Sequence, residues 1–349
     1  MKDIKSSPKF QLQIILPINH HNIDSILNEF DCTYITTEVK SIHDYGHFYS
    51  ECLKAMSHIK IDMVICLGDR FEMLAAATAA LLLNIPIVHL YGGETTTGAF
   101  DNEIRNSITQ MASYHFTATK QYAEKVCEMI NKDCYYDSLD NTANDKYVGK
   151  KVINVGSAGL DWLTRAKLLS KSELQQKVPI NLDQPFIVSC FHPVTKELLK
   201  LECQTDKLMN ALEKIDEQIL LIRPNIDPGN EFIYKRIWRK SYYGKEIFKI
   251  SNLDHLTYLS LLQYAELMVG NSSSGIIESP SFSIPSVSVG NRQNGRIKAD
   301  NTFTCPCETE AILETIDRAR EWNGLVGKCD NPYGDGKSTE RIIKILEEI

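Results

Sequence analysis

Through most of its 349 residues the chain alternates short β-branched runs with amphipathic helical stretches, and few folds satisfy that alternation. A helix between two strands carries the chain back to the end of the sheet it left, so the strands must run parallel. Gln11 to Leu16, Thr33 to Thr36, Met63 to Leu67, Ile87 to Leu90, His115 to Ala118 and Val152 to Val155 predict one such sheet. Phe71 to Leu83 is one of the helices between them. Phe186 to Cys190, Ile219 to Ile222, Ile247 to Ile250, Leu267 to Val269 and Val287 to Val289 predict a second. A helical connector, Gly156 to Pro185, separates the two sets, placing a boundary near residue 165 and giving domains 1–165 and 166–334. Asp133 to Lys151 is polar without an apolar period and reads as a surface insertion.

Composition excludes several function classes. An apolar content of 43% and a charged content of 24% suit two medium domains, each with its own core. A net charge of −7 without a basic block argues against nucleic acid as a partner. No run approaches the roughly 20 apolar residues that span a bilayer, so no membrane segment is expected. The opening MKDIKSSPKF has no apolar core behind its charges, which argues against a secretory signal. The ten cysteines are scattered and read as reduced thiols, so the expected location is cytoplasmic. Cys305 and Cys307 are close, but with no second pair or nearby histidine they predict no zinc site, and no metal or cofactor is expected.

Ligands of open parallel sheets bind beyond the carboxyl ends of the strands. The residues after each run are therefore the candidates. Gly68-Asp69-Arg70-Phe71-Glu72 comes after Leu67; Tyr91-Gly92-Gly93-Glu94 comes after Leu90, with Asp101, Asn102, Glu103 and Arg105 soon after. His192-Pro193-Val194-Thr195 succeeds the run ending at Cys190, and Gly290-Asn291-Arg292-Gln293-Asn294-Gly295-Arg296 succeeds Val289. Most informative is Gly270 to Glu278, which reads as strand, anion-binding turn and helix N-terminus. Its backbone N–H groups and the hydroxyls of Ser272, Ser273 and Ser274 suit a diphosphate, and Glu278 suits the hydroxyls of a ribose. Each candidate has a plainer reading: Asp69, Asp101 or a serine as a helix N-cap, His192 as a satisfied loop histidine, Arg292 and Arg296 as solvated charges. Independent caps have no reason to gather on the edges of two sheets facing each other across a cleft.

Six ordered motifs, GDRFEMLAAA (68–77), GGE (92–94), FDNEIR (100–105), FHPVT (191–195), GNSSSGIIE (270–278) and NRQNGR (291–296), with the tail YGDGKSTERIIKIL (333–346), resemble the UDP-N-acetylglucosamine 2-epimerase family, most closely its hydrolysing branch. The resemblance implies an α/β GT-B architecture, two Rossmann-like domains with the nucleotide sugar between them, and a last helix, 335–349, that returns to the first domain. It implies release of a free 2-epimer from UDP-N-acetylglucosamine or a UDP- or GDP-linked diacetamido sugar, for sialic or other nonulosonic acid synthesis. A homodimer or tetramer is implied too.

That chemistry removes the proton on sugar carbon 2, breaks the bond from carbon 1 to the nucleotide to give a 2-acetamidoglucal, and adds water with inversion. By resemblance, Asp69, Glu94 and Asp101 supply acid and base functions, and His192 stabilises or protonates the departing diphosphate. Arg70, Ser272, Ser273 and Arg292 hold phosphate, Glu278 the ribose, and Arg105 orients the carboxylates. The chain departs from the family at Asn102, Asn106 and Tyr91, where relatives carry an acid, a histidine, and a histidine or glutamate. The usual opening strand with a glycine-threonine-arginine turn is not found before Phe10, and a form extended upstream is expected to be more stable and more active. A non-hydrolysing epimerase, a GT-B glycosyltransferase and an inactive nucleotide-sugar-binding homologue are the alternatives.

Overall fold

The computed structural model describes every residue except 1–3, 5, 19–32, 40–41, 97–100, 132–134, 140–150, 225–228, 239–241, 243, 252 and 324–328. The chain divides into two compact units. Unit 1 comprises 1–94, 101–158 and 334–349, and unit 2 comprises 95–100 and 159–333.

Unit 2 is built on six parallel strands: β8 (Phe186–Cys190), β9 (Gln218–Ile222), β10 (Ile247–Ile250), β11 (Leu267–Gly270), β12 (Ser286–Val289) and β13 (Thr302–Cys305). Their order is β10-β9-β8-β11-β12-β13, with Leu267 opposite Ile187 and Val269 opposite Ser189. Alternate side chains feed two separate cores. Ile187, Leu221, Val269 and Val287 pack with the helices Leu201–Leu212 and Thr309–Asn323, while Phe186, Val188, Leu220 and Met268 pack with His255–Leu262. Burial on both faces is why these strands read as continuous apolar runs rather than alternating ones. β13 was not expected: at the sheet edge, Thr302 and Thr304 interrupt the apolar pattern.

Unit 1 holds β1 (Gln13–Ile18) and β2 (Thr33–Glu38), which pair in parallel as a two-stranded sheet. A separate five-stranded parallel sheet, in the order β3-β4-β5-β7-β6, is formed by β3 (Val64–Leu67), β4 (Ile87–Leu90), β5 (Tyr114–Thr117), β6 (Tyr135–Asp137) and β7 (Val152–Asn154). The single six-stranded sheet expected from sequence is thus two sheets. β3 ends the larger one, and Ile65 and Leu67 remain 37% and 55% exposed there. Apolar runs locate strands without naming their hydrogen-bonded neighbours, which accounts for the difference. β6 lies within the stretch predicted as an insertion; residues 140–150 of that stretch fall outside the described residues.

One face of the five-stranded sheet, with Cys66 and Ile87, is covered by Tyr45–His58 and Phe71–Leu82. In the second helix Ala75, Ala76, Ala77, Ala79 and Ala80 are buried, since small side chains let a helix approach its neighbours closely. On the other face Val88, Phe116 and Ile153 meet Ile342, Ile345 and Leu346 of the helix Ser338–Leu346, whose Ser338 hydroxyl donates to the Gly156 carbonyl at 2.9 Å. No helix among the described residues is long and apolar enough to cross a membrane.

Candidate active site

In unit 1 the turn after β3 is locked from below. Gly68 takes φ +83°, a conformation glycine tolerates, and its carbonyl lies 3.0 Å from Nε2 of His89 on β4. Nδ1 of His89 meets the Thr109 hydroxyl at 3.2 Å, so both ring nitrogens are engaged in a fully buried setting. Asp69, the next residue, does not cap the helix Phe71–Leu82; Arg70 occupies the cap position without a side-chain bond. Instead the Asp69 carboxylate pairs with the Arg105 guanidinium. Arg105 is 1% exposed and also donates through Nη1 to the Glu94 carbonyl and to Asn102 Oδ1, each at 2.8 Å. One guanidinium therefore ties the turn after β3 to the loop after β4 and to the first turn of the helix Asp101–Met111, which Asp101 opens. Glu94 is 6% exposed. Arg70 reaches a different acid: its Nε and Nη2 lie 3.3 and 3.4 Å from the buried carboxylate of Glu72. Tyr91 takes φ +69°, a strained value for an aromatic residue, and its phenol oxygen accepts from Ala158 N–H at 2.9 Å.

In unit 2 three loops after strands converge on Asn271, a residue sequence reasoning left inside its motif. Gly270, at φ +149°, lies so near the Cys190 carbonyl that a side chain there would collide with it. Asn271, 1% exposed, accepts from His192 N–H at 2.6 Å through Oδ1 and donates through Nδ2 to the His192 carbonyl at 2.8 Å. Its own carbonyl accepts from Arg292 Nη1 at 3.0 Å and Gln293 Nε2 at 2.8 Å. Glu197 braces the last of these loops, accepting from Asn291 Nδ2 at 2.8 Å, a contact that holds its carboxyl below the usual range.

The serine turn differs from its expected form. The helix Ser274–Ile277 is a single turn followed by the 3₁₀ segment Ser279–Phe282, because Pro280 cannot continue an α-helix. A helix dipole thus contributes little at this turn, which presents chiefly hydroxyls and backbone N–H groups. Nor is there a capping serine: Ser273 at the cap makes no side-chain cap bond, while Ser272 Oγ accepts from Ser274 N–H at 3.4 Å. The Ser274 hydroxyl bonds both Tyr258 and Glu278. Burial raises the Glu278 carboxyl, whose Oε2 is enclosed without a hydrogen-bond partner among the described residues. Tyr258, 16 residues upstream of Ser274 and on the helix His255–Leu262, gave no motif signal.

Two histidines are held neutral. Burial lowers His89 from 6.5 to about 4, and burial with the Arg292 charge lowers His192 to about 3. Each binds fewer protons folded than unfolded, so its contribution is complete above 6.5 and is withdrawn as pH falls from 6.5 toward the folded value. Glu278 acts oppositely, since its raised folded value costs stability as pH rises. The expected result is that His89→Gln, compared with the parent in denaturant titrations, loses about 2 kcal/mol less between pH 7 and pH 5. Parallel curves would exclude a buried neutral His89.

Among the described residues no group of three or more histidine, cysteine, aspartate or glutamate side chains is placed to hold a metal ion.

The UDP-N-acetylglucosamine 2-epimerase family model matches residues 2–347. A hydrolysing UDP-N,N'-diacetylbacillosamine 2-epimerase of Legionella pneumophila is 33% identical over 288 residues, 82% of this chain and 71% of that protein. Polysialic acid biosynthesis protein P7 of Escherichia coli is 30% identical over 312 residues, 86% of this chain and 75% of that protein. In structure, UDP-GlcNAc 2-epimerase from Neisseria meningitidis, crystallised with UDP-GlcNAc, matches with a TM-score of 0.80 over 100% of this chain and 95% of that one, at 16% identity. The α/β fold is therefore of GT-B type. With the family model running from residue 2 to residue 347, the chain belongs to the UDP-N-acetylglucosamine 2-epimerase family.

Proposed function

We propose that the chain is a hydrolysing nucleotide-sugar 2-epimerase that takes UDP-N-acetylglucosamine or a UDP- or GDP-linked diacetamido sugar and releases the free 2-epimer and the nucleoside diphosphate. The observation that carries this reading is Glu278. A carboxyl bonded by Ser274, whose hydroxyl is itself held by Tyr258, with one buried oxygen still able to accept, suits a ribose hydroxyl. Beside it the hydroxyls of Ser272 and Ser273, with Arg292, suit the diphosphate. His192, neutral at working pH, acts on the leaving group as a hydrogen-bond donor rather than as a stored proton. The hydrolysing branch is supported by the Legionella relative, whose name carries that activity.

In unit 1, Asp69 is assigned to proton transfer at carbon 2. Arg105 holds it in place, so the carboxylate is oriented before substrate arrives. Base removal of that proton, with the electron pair forming the carbon 1–carbon 2 double bond, expels the diphosphate and leaves the glucal. Water then adds at carbon 1, and carbon 2 regains a proton on the opposite face, a step assigned to Glu94 or Asp101. Arg70, paired with Glu72, is assigned to phosphate only after exchanging that partner.

Incubation of the purified chain with each nucleotide sugar in deuterated water tests the reading. Free 2-epimer carrying deuterium at carbon 2, with stoichiometric nucleoside diphosphate, is expected. Epimerised sugar still attached to the nucleotide would instead establish the non-hydrolysing reaction, and unchanged substrate with saturable binding a binding protein.

Asn271→Asp supplies a second check. Oδ1 can still accept from His192 N–H, but the donor to the His192 carbonyl is lost and a negative charge enters beside the phosphate groups. Affinity for UDP, measured by calorimetry, should fall tenfold or more, roughly the consequence of one buried carbonyl left unpaired. Unchanged affinity would separate Asn271 from the nucleotide site.

A further inference from the structure

We propose that Tyr258 is a positioning residue for Glu278: acting through the Ser274 hydroxyl, it keeps that carboxylate an acceptor for ribose hydroxyls and so makes unit 2 select ribonucleoside over dideoxyribonucleoside diphosphates. The inference rests on the reading of Glu278 as the ribose group. The Tyr258 phenol, on the helix His255–Leu262, bonds the Ser274 hydroxyl, and Ser274 in turn bonds Glu278. Glu278 N–H donates to the Ser274 carbonyl at 3.0 Å, so the two side chains stand one helical turn apart on a shared face. Oε2 of Glu278 is enclosed without a hydrogen-bond partner among the described residues, which leaves it an oxygen for ligand. The contacts thus run from a helix packed on the sheet, through the serine turn, to the carboxyl.

The direction of this relay follows from where the protons are. Burial raises the Tyr258 phenol well above its usual range, so Tyr258 has a proton to give. An ionised carboxylate has none and only accepts, so the single proton of Ser274 goes to Glu278 and the serine oxygen accepts from Tyr258. Without that donor a serine hydroxyl is free to rotate among neighbouring acceptors. With it, the proton is aimed at the carboxyl, and each donated bond strengthens the next. The aim has a chemical consequence because burial works the other way, raising the Glu278 carboxyl toward its neutral form. A neutral carboxyl carries a proton on one oxygen and would meet one of the ribose hydroxyls with a donor. Arg296, in the loop after β12, faces the same carboxyl and also favours the ionised form. Cys190, at the end of β8, lies near Tyr258, but its thiol, pushed up to about 12 by burial, adds no charge.

Calorimetry of the full chain with UDP and with 2′,3′-dideoxyuridine diphosphate reads the selectivity. The parent should prefer UDP, and Glu278→Gln should lose most of that preference. Tyr258→Phe should lower it roughly fivefold, the scale of one neutral hydrogen bond, with affinity for the dideoxynucleotide unmoved. A residue that merely packs would weaken both nucleotides alike. In a Ser274→Ala background Tyr258→Phe should cost nothing further in preference, because the relay is already cut. Ser274→Ala alone should show the same loss of preference, and it decides if the phenylalanine variant does not fold. Carboxyl ¹³C NMR of the ligand-free chain, with Glu278→Gln assigning the signal, gives a readout independent of the ribose: the Glu278 titration midpoint should lie higher in Tyr258→Phe than in the parent. An equal midpoint, an unchanged preference, or equal losses for both nucleotides would overturn the proposal. A parent that binds both nucleotides equally would overturn the ribose reading and the selectivity with it, while the midpoint would still decide whether Tyr258 acts on the carboxyl.

Discussion

Asp69→Asn is expected to lower turnover about a thousandfold, the middle of the range for loss of a general acid or base. The amide is nearly isosteric and its oxygen can still accept from Arg105, so geometry survives while basicity does not. Arg105 keeps its bonds to the Glu94 carbonyl and Asn102, and the fold of unit 1 should be intact by circular dichroism. UDP affinity should be nearly unchanged, because the residues assigned to the ribose and diphosphate in unit 2 are untouched. Such a split, with kcat lost and nucleotide binding kept, is the signature of an interaction used in the transition state alone. Turnover within tenfold of the parent would instead move proton removal to Glu94 or Asp101.

Arg105→Met should be the costlier change for the protein as a whole. Methionine fills much of the volume and removes the charge, leaving a buried carbonyl at Glu94, the Asn102 oxygen and the Asp69 carboxylate without their shared donor. Removing one partner of a buried pair destabilises by about 3 kcal/mol, although Asp69, 23% exposed in its side chain, recovers some hydration. The loss should appear as an earlier unfolding transition of unit 1 in urea, and turnover should fall with it, since the loops after β3 and β4 lose their common anchor. Arg105→Lys is expected to recover little, because a single ammonium cannot reproduce a planar fork that serves three acceptors. A variant that unfolds like the parent would mean that solvent or another cation already satisfies these groups.

Asp69, Glu94, Arg105, His192, Arg292 and Glu278 all lie shortly beyond the ends of apolar runs, which made them legible in the sequence, because parallel strands present their carboxyl ends together. Asn271 lies in the clearest motif of the chain, yet its importance comes from bonds to His192 and Arg292, 79 and 21 residues away. Neither spacing carries a local signal. The same holds for Tyr258 behind Ser274 and for His89 beneath Gly68, each of which looks like an ordinary core residue until the neighbouring turn is in view. Plainer readings were also settled by contacts: Asp69 faces Arg105 rather than a helix N-terminus, and Ser273 makes no capping bond.

Periodicity determined the α/β class and located most strands, because burial on both faces of a parallel sheet writes itself as unbroken apolar runs such as Phe186 to Val188. Motif chemistry determined the family, since six spaced groups of residue types constrain a reaction more than any one of them does. Which strands pair was decided only in three dimensions. β1 and β2 form their own sheet, β6 and β13 complete the others, and Ile65 and Leu67 stand at an edge that their composition would have placed inside. The partners of each polar side chain were decided there too. A hydrogen bond depends on distance and direction between groups far apart in the chain, and neither quantity is encoded in the order of residues near either end of the bond.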